Sequence, residues 1–167
     1  MNTSWSRAIV VTPRYSGADG VSAVTRGYVD ALMCASIPRV DVWALDDRGP
    51  GATGLVAGNT QLRCARGRRL TFASYALREP RVDRHTLVVV QHVHLLPAVL
   101  PLLARGAKLL LVLHGIEAWT RLRPLERAAC RRAWKRIAVS RHTIRRFRDA
   151  NPDLAGLPVE VCAPGLP

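Results

Sequence analysis

Lysine is almost missing from this chain. Lys108 and Lys135 are the only lysines among its 25 basic residues, so the net charge of +13 is carried almost wholly by arginine. Aromatic residues amount to 5%, and nucleic-acid modules mix both cations with exposed aromatics, so nucleic acid is not the expected partner. Charge of this sign still favours anionic ligands or an acidic lipid surface. Cys34, Cys64, Cys130 and Cys162 stand far apart, without a C-x-x-C pair or a histidine at finger spacing. That spacing excludes a zinc ribbon and a small disulfide scaffold, and four reduced thiols suit a cytoplasmic protein. The longest apolar run, Leu95 to Ala104, carries Pro97 and Pro101 and is about half the length of a spanning helix. The stretch from Met1 to Pro13 is too weakly apolar for a secretory leader. The expected location is therefore the cytoplasm, with at most peripheral contact at the inner face of a membrane.

What the chain does contain is alternation of element types. Ala8 to Val11 reads as a strand closed by Thr12-Pro13, and Ser16-Gly17-Ala18-Asp19-Gly20 as a small-residue loop. Val21, Val24, Tyr28, Leu32 and Ala35 then recur at helical spacing up to Ser36-Ile37-Pro38, with Asp19 or Ser22 available as the cap. Val40 to Leu45 is a strand, Asp46 to Asn59 a loop or flap, Gln61 to Ala65 a short strand and Arg68 to Arg78 a helix. Thr86 to Val90 and Lys108 to Leu113 are apolar without alternation, as in strands buried on both faces. Helices are expected at Pro97 to Ala104, Pro124 to Arg136 and, capped by Ser140, Arg141 to Ala150; strands at Ile137 to Val139 and Val159 to Val161. At 167 residues this predicts one α/β domain over residues 1–162: a Rossmann-like parallel sheet with helices on both faces. Residues 163–167 read as the start of a linker.

Ligands of an open parallel sheet bind outside the carboxyl ends of its strands, where helix N-termini and loop N–H groups converge. Three segments belong to that edge: Gly17 to Gly20, Gln91-His92-Val93-His94, and His114-Gly115-Ile116-Glu117. The glycine loop suits close approach of a phosphate, yet its G-x-x-G spacing matches neither the dinucleotide fingerprint nor a P-loop. Asp19 repels a phosphate there unless it caps the helix or binds a hydroxyl, and a plain turn is the competing reading. His92 and His94 point to one side of an extended segment, and His114 emerges from the neighbouring strand. With Glu117 they have the residue types of a metal cluster, but no H-E-x-x-H helix supports one, and no metal is expected. Each histidine is also readable as a hydrogen-bonded strand-end residue. Functionally, a histidine at this edge bonds a sugar hydroxyl or phosphate, and Glu117 binds hydroxyls or orients the imidazole. No G-x-S-x-G elbow or Ser/His/Asp set appears, which disfavours a hydrolase. Asp46 or Asp47 holding a ribose would make an ordinary nucleotide-binding protein.

Two basic stripes stand at helical spacing, Arg127-Arg131-Lys135 beside Trp134, and Arg141-Arg145-Arg148. They are solvated faces or, alternatively, the surface of a stand-alone binding module for an anionic membrane or nucleic acid.

Taken in order, five segments resemble the N-terminal domain of GT-B glycosyltransferases of the family-4 type, retaining enzymes that use nucleotide-activated sugars. They are Ile9 to Pro13 leading to Gly20-Val21-Ser22; Leu87 to His94, similar to the family's "DVVHxH"; Leu113-His114-Gly115-Ile116-Glu117; Ile137-Ala138-Val139-Ser140; and Val159 to Gly165, similar to "VxVIPNG". The resemblance implies that His114 is the active-site histidine near the transferred sugar and that Gly20 approaches the donor diphosphate or the acceptor. It also implies that His94 lines the cleft; Gly17, Asp19, Gly115 and Glu117 join these as substrate-binding candidates from their place in the same rim segments. Asp19 departs from the family's glycine pair, and Ala163-Pro164-Gly165 from its Pro-Asn-Gly. The implied activity is glycosyl transfer from a nucleotide-sugar co-substrate to an unidentified acceptor, with no other cofactor. The family's donor-binding second domain, with its basic pair and E-x7-E motif, is not in this sequence. The expectation is an acceptor-side half that is inactive alone and completed by a C-terminal Rossmann domain in cis or trans.

Overall fold

The computed structural model describes residues 4–47, 54–57 and 60–163. One sheet contains β1 (Arg7–Thr12), β2 (Val40–Ala44), β3 (Gly54–Ala57), β4 (Thr60–Cys64), β5 (Thr86–Val90), β6 (Lys108–Leu113), β7 (Lys135–Ala138) and β8 (Glu160–Val161). Their spatial order is β3-β4-β2-β1-β5-β6-β7-β8. All neighbours are parallel except β3 and β4, which form an antiparallel pair. Without that edge strand the sheet has the doubly wound order, in which the chain starts mid-sheet, winds one way, then returns to wind the other. The reversal falls between β1 and β5.

Five helices connect the strands: α1 (Gly20–Cys34), α2 (Arg69–Arg78), α3 (Leu96–Ala104), α4 (Pro124–Arg132) and α5 (Arg141–Ala150). The expected Rossmann-like α/β fold is thus observed, with helices on both faces but unequally. Alternate strand residues divide between two cores. Ile9, Val11, Trp43, Val88, Val90, Leu109, Leu111 and Leu113 pack with residues of α2, α3, α4 and α5. Ala8, Val10, Val40, Val42, Leu87, Val89 and Val112 pack with Val29, Tyr28 and Leu32 of α1 alone. No helix among the described residues is long and apolar enough to cross a membrane.

Two expected boundaries are corrected. The segment expected as a loop from Asp46 to Asn59 contains β3, because Gly54–Ala57 pairs antiparallel with the otherwise free edge of β4; residues 48–53 and 58–59 lie outside the described residues. The helix expected to reach Arg136 stops at Arg132, since Ala133 turns extended and Arg136 folds back on the helix end. Its guanidinium donates to the carbonyl oxygens of Cys130 (2.8 Å), Arg131 (3.0 Å) and Ala133 (3.1 Å). Those bonds satisfy carbonyls at the end of the helix, where the Ala133 N–H reaches only that of Cys130, at 3.2 Å. Residues 164–167 of the expected linker are likewise outside the described residues.

The amino rim of the sheet, opposite the loops considered below, is held by charge. Buried Arg7 donates to Asp41 (2.6 Å) and Glu79 (2.6 Å), both carboxylates being almost completely buried. Arg39 and Arg63 complete the cluster at 2.9 Å from Asp41 and Glu79 respectively.

Candidate functional site

All three loops singled out by sequence leave the carboxyl ends of parallel strands, so the fold brings them to one rim. The loop after β1 is shaped by its own polar contacts. Asp47 is buried and accepts from the Tyr15 N–H (2.8 Å) and the Ser16 hydroxyl (2.7 Å). Arg26 of α1 donates to the carbonyls of Tyr15 (2.8 Å) and Gly17 (2.9 Å). Between the two alternatives for the α1 cap, Asp19 takes the role: its carboxylate accepts from the Ser22 N–H (3.0 Å) and the Ser22 hydroxyl (2.9 Å). The Ser22 backbone bond holds the Asp19 carboxyl below its ordinary range.

The glycines of this loop differ. A Cβ at Gly17 would stand 2.5 Å from Asp19 Oδ2 and 2.6 Å from Ser22 Oγ, so the capping arrangement itself requires glycine. Nothing lies within 4 Å of a Cβ on Gly20, which faces open space at the start of α1. Beside it is a recess of about 280 Å³ lined by Pro13, Arg14, Asp19, Val21, Asp46 and His92. Of the two aspartates proposed for a ribose, Asp47 is committed to the loop and Asp46 faces the recess.

His92 and His94 do not lie on the expected extended segment: Val93–Leu95 is a 3-10 turn capped by His92, and it is this turn that brings the ring centroids to 5.1 Å. His92 accepts the His94 N–H through Nδ1 at 3.3 Å. His94 turns its own Nδ1 to Glu126 Oε1 at 2.9 Å, and the other Glu126 oxygen accepts the Arg123 N–H at 2.7 Å, capping α4. His114 is held differently. Its Nε2 lies 2.7 Å from Oε1 of Gln91, a residue with no exposed surface. With the amide oxygen accepting, Nε2 carries the proton and Nδ1 is the acceptor nitrogen. Burial pushes the pKa of His114 down, with the His92 charge adding to it and Glu117 opposing. Burial likewise pushes His92 down.

Glu117 neither orients the imidazole nor points a free carboxylate outward. It accepts the N–H groups of His114 (2.9 Å) and Gly115 (3.0 Å), closing the loop after β6. Gly115 is extended, and its nearest neighbour is Trp119 at 4.0 Å from a virtual Cβ. Among the described residues, no group of three or more His, Cys, Asp or Glu is arranged to hold a metal ion. Sequence reading placed Gln91 and Asp47 at this rim but missed their partners, His114 and the Tyr15–Ser16 turn, and it missed Glu126 altogether. Gln91 had a signal: it is the first polar residue after an unbroken apolar strand, at the order reversal where ligand loops meet.

The first basic stripe does not survive folding. Lys135 belongs to β7 and pairs with Glu160 (3.2 Å), while Arg127 and Arg131 both reach Asp153, at 3.5 and 2.7 Å. The α5 stripe persists as an exposed face of Arg141, Arg145 and Arg148. No known protein family, curated protein or solved structure matches this chain. What it can do is therefore argued from the rim itself.

Proposed function

We propose that this chain is the acceptor-side half of a retaining sugar transferase built from two Rossmann-like halves. One observation carries the reading: the recess at the strand-order reversal is lined by two carboxylates, a guanidinium and an imidazole. That set of convergent acceptors and donors suits a polyol, whose neighbouring hydroxyls both give and take hydrogen bonds. It suits a bare phosphate poorly, because Asp19 already supplies the anion at the start of α1.

In the transfer, the bond between the donor's anomeric carbon and its phosphate breaks and the acceptor oxygen forms the new glycosidic bond. The acceptor's proton leaves with the phosphate. His114 contributes as a fixed hydrogen-bond acceptor: Nε2 is committed to Gln91, so Nδ1 takes a sugar hydroxyl and holds the ring in place. The nucleotide-sugar donor is bound chiefly by the second half, so this chain alone transfers little or no sugar.

Saturation-transfer NMR with hexoses and nucleotide sugars tests the recess, and adding a donor-binding half in trans with labelled nucleotide sugar tests the reaction. We expect hexose ring signals that disappear in Asp46→Asn with His92→Ala, and transfer reduced at least a hundredfold in His114→Ala. Equal transfer by wild type and His114→Ala removes the role of His114. Silence from every hexose and nucleotide sugar overturns the reading. The exposed α5 arginines support peripheral attachment to an anionic membrane as a separate property, read out by salt-sensitive co-sedimentation with acidic vesicles that Arg141→Glu with Arg145→Glu abolishes.

A further inference from the structure

Next to the polar recess, on the far side of the His92–His94 pair, a half-open groove of about 670 Å³ runs between α2, α3 and the start of α4. Its size falls within the roughly 300–1,000 Å³ typical of small-ligand sites. The walls are apolar, formed by Phe72 and Ala73 of α2, Pro97 and Ala98 of α3, and Leu125 of α4. Leu125 is left 58% exposed, an apolar surface that none of the described residues covers. Arg69 and Arg123 also line the groove, and both are exposed.

The charge at this groove is unbalanced. Elsewhere the arginines near an acid are paired with it, Arg63 with Glu79 and Arg127 and Arg131 with Asp153. Neither Arg69 nor Arg123 has a carboxylate partner among the described residues. The one acid in the lining, Glu126, is 2% exposed and has both oxygens occupied, by His94 Nδ1 and the Arg123 N–H. The groove thus offers an apolar wall and two uncompensated guanidiniums, and Arg forks match phosphate oxygens.

We propose that this groove binds a single-chain phosphate amphiphile, with the alkyl chain along Phe72, Ala73 and Ala98 and the phosphate at Arg69 and Arg123. The inference deepens the transferase reading and rests on it for the ligand's role: the acceptor is such an amphiphile carrying a hydroxylated group beyond its phosphate, which passes His94 and presents the attacking hydroxyl in the polar recess. His94 borders the groove and His92 the recess, so one ligand spans both across a single pair of rings.

Calorimetry on the intact chain with butyl, hexyl and octyl phosphate below their aggregation limits tests this, with octanol and inorganic phosphate as controls. Affinity rises two- to fourfold per methylene, fourfold corresponding to the about 0.8 kcal/mol of a fully buried CH₂. Inorganic phosphate binds at least a hundredfold more weakly than octyl phosphate. Arg69→Gln with Arg123→Gln, both at exposed positions, costs octyl phosphate about tenfold and leaves octanol unchanged. Ala98→Phe flattens the chain-length series by filling the groove; should that variant fail to fold, the wild-type series and the arginine pair still decide. A flat series in wild type, or binding only to anionic vesicles and not to dispersed amphiphile, overturns the proposal. Hexose signals from the recess without alkyl phosphate binding end this inference and leave the transferase reading intact; the converse ends the transferase reading and leaves the groove.

Discussion

Replacing Gln91 by Met removes the one hydrogen-bond partner of His114 Nε2 among the described residues while keeping side-chain volume nearly constant. Two effects oppose each other in stability. The Gln91–His114 bond of 2.7 Å is lost, at a net cost of about 1 kcal/mol. Against that, the Gln91 Nε2 amide, buried and without a partner, is removed, and an unsatisfied buried donor costs about 1–3 kcal/mol. His114 Nε2 is in turn left without this partner at a similar cost, so the unfolding free energy changes by less than about 2 kcal/mol, in either direction. The histidine itself responds more sharply. A bond of about 1 kcal/mol biases the two neutral tautomers about fivefold, so the Nε2–H form loses that advantage in the variant. Because the same bond also supports the imidazolium, the His114 pKa falls further below its ordinary value in Gln91→Met. Gln91→Glu moves it the other way by setting a carboxylate against Nε2. Long-range proton–nitrogen correlation spectra of the ring, recorded across pH 5 to 8, report tautomer and titration together. Identical nitrogen shifts and titration in wild type and both variants would refute the reasoning, and so would a Gln91→Met destabilisation above about 3 kcal/mol.

Three further outcomes follow from the geometry. Arg7→Met strands the buried Asp41 and Glu79 carboxylates and lowers the urea-unfolding free energy by about 3–5 kcal/mol; a loss under 1 kcal/mol would mean Arg39 and Arg63 suffice alone. His92 and His114 have folded pKa values depressed below 6.5, so the unfolded chain binds more protons and stability falls as pH drops through and below about 6.5. His92→Gln with His114→Gln flattens that acid slope, and an unchanged slope between pH 5 and 7 in denaturant melts would reject it. Gly17→Ala drives a Cβ against Asp19 and Ser22 and costs about 1–2 kcal/mol through the helix cap, whereas Gly20→Ala meets open space and leaves the melting temperature within a few degrees while weakening polyol binding.

Much of the architecture was legible because its strands declare themselves locally. Apolar runs such as Thr86–Val90 and Lys108–Leu113, each followed by a capped or proline-started helix, leave a buried parallel sheet as the economical solution. The errors lie where a segment's state is set by a neighbouring element and not by its own residues. Gly54–Ala57 has no strand signal of its own and is strand only because the edge of β4 is free. Arg136 reads as one more helical arginine until the chain folds and its guanidinium closes the carbonyl end of α4.

The site divides in the same way. The meeting of three loops was readable, since parallel strands put every carboxyl end on one rim. Partner choice within the rim was not, because Gln91 meets His114 across 23 residues and Asp47 meets Tyr15 across 32. Those pairings change the chemistry. Had Asp19 faced outward, the start of α1 would be a vacant anion site of the kind that cradles a pyrophosphate. Turned inward onto Ser22, it neutralises that helix end and leaves Asp46, Arg14 and His92 to meet whatever enters. With its phosphate position already filled from within, the recess is the basis on which we propose a hydroxyl-bearing ligand, and the uncompensated positive charge lies one groove further along, at Arg69 and Arg123.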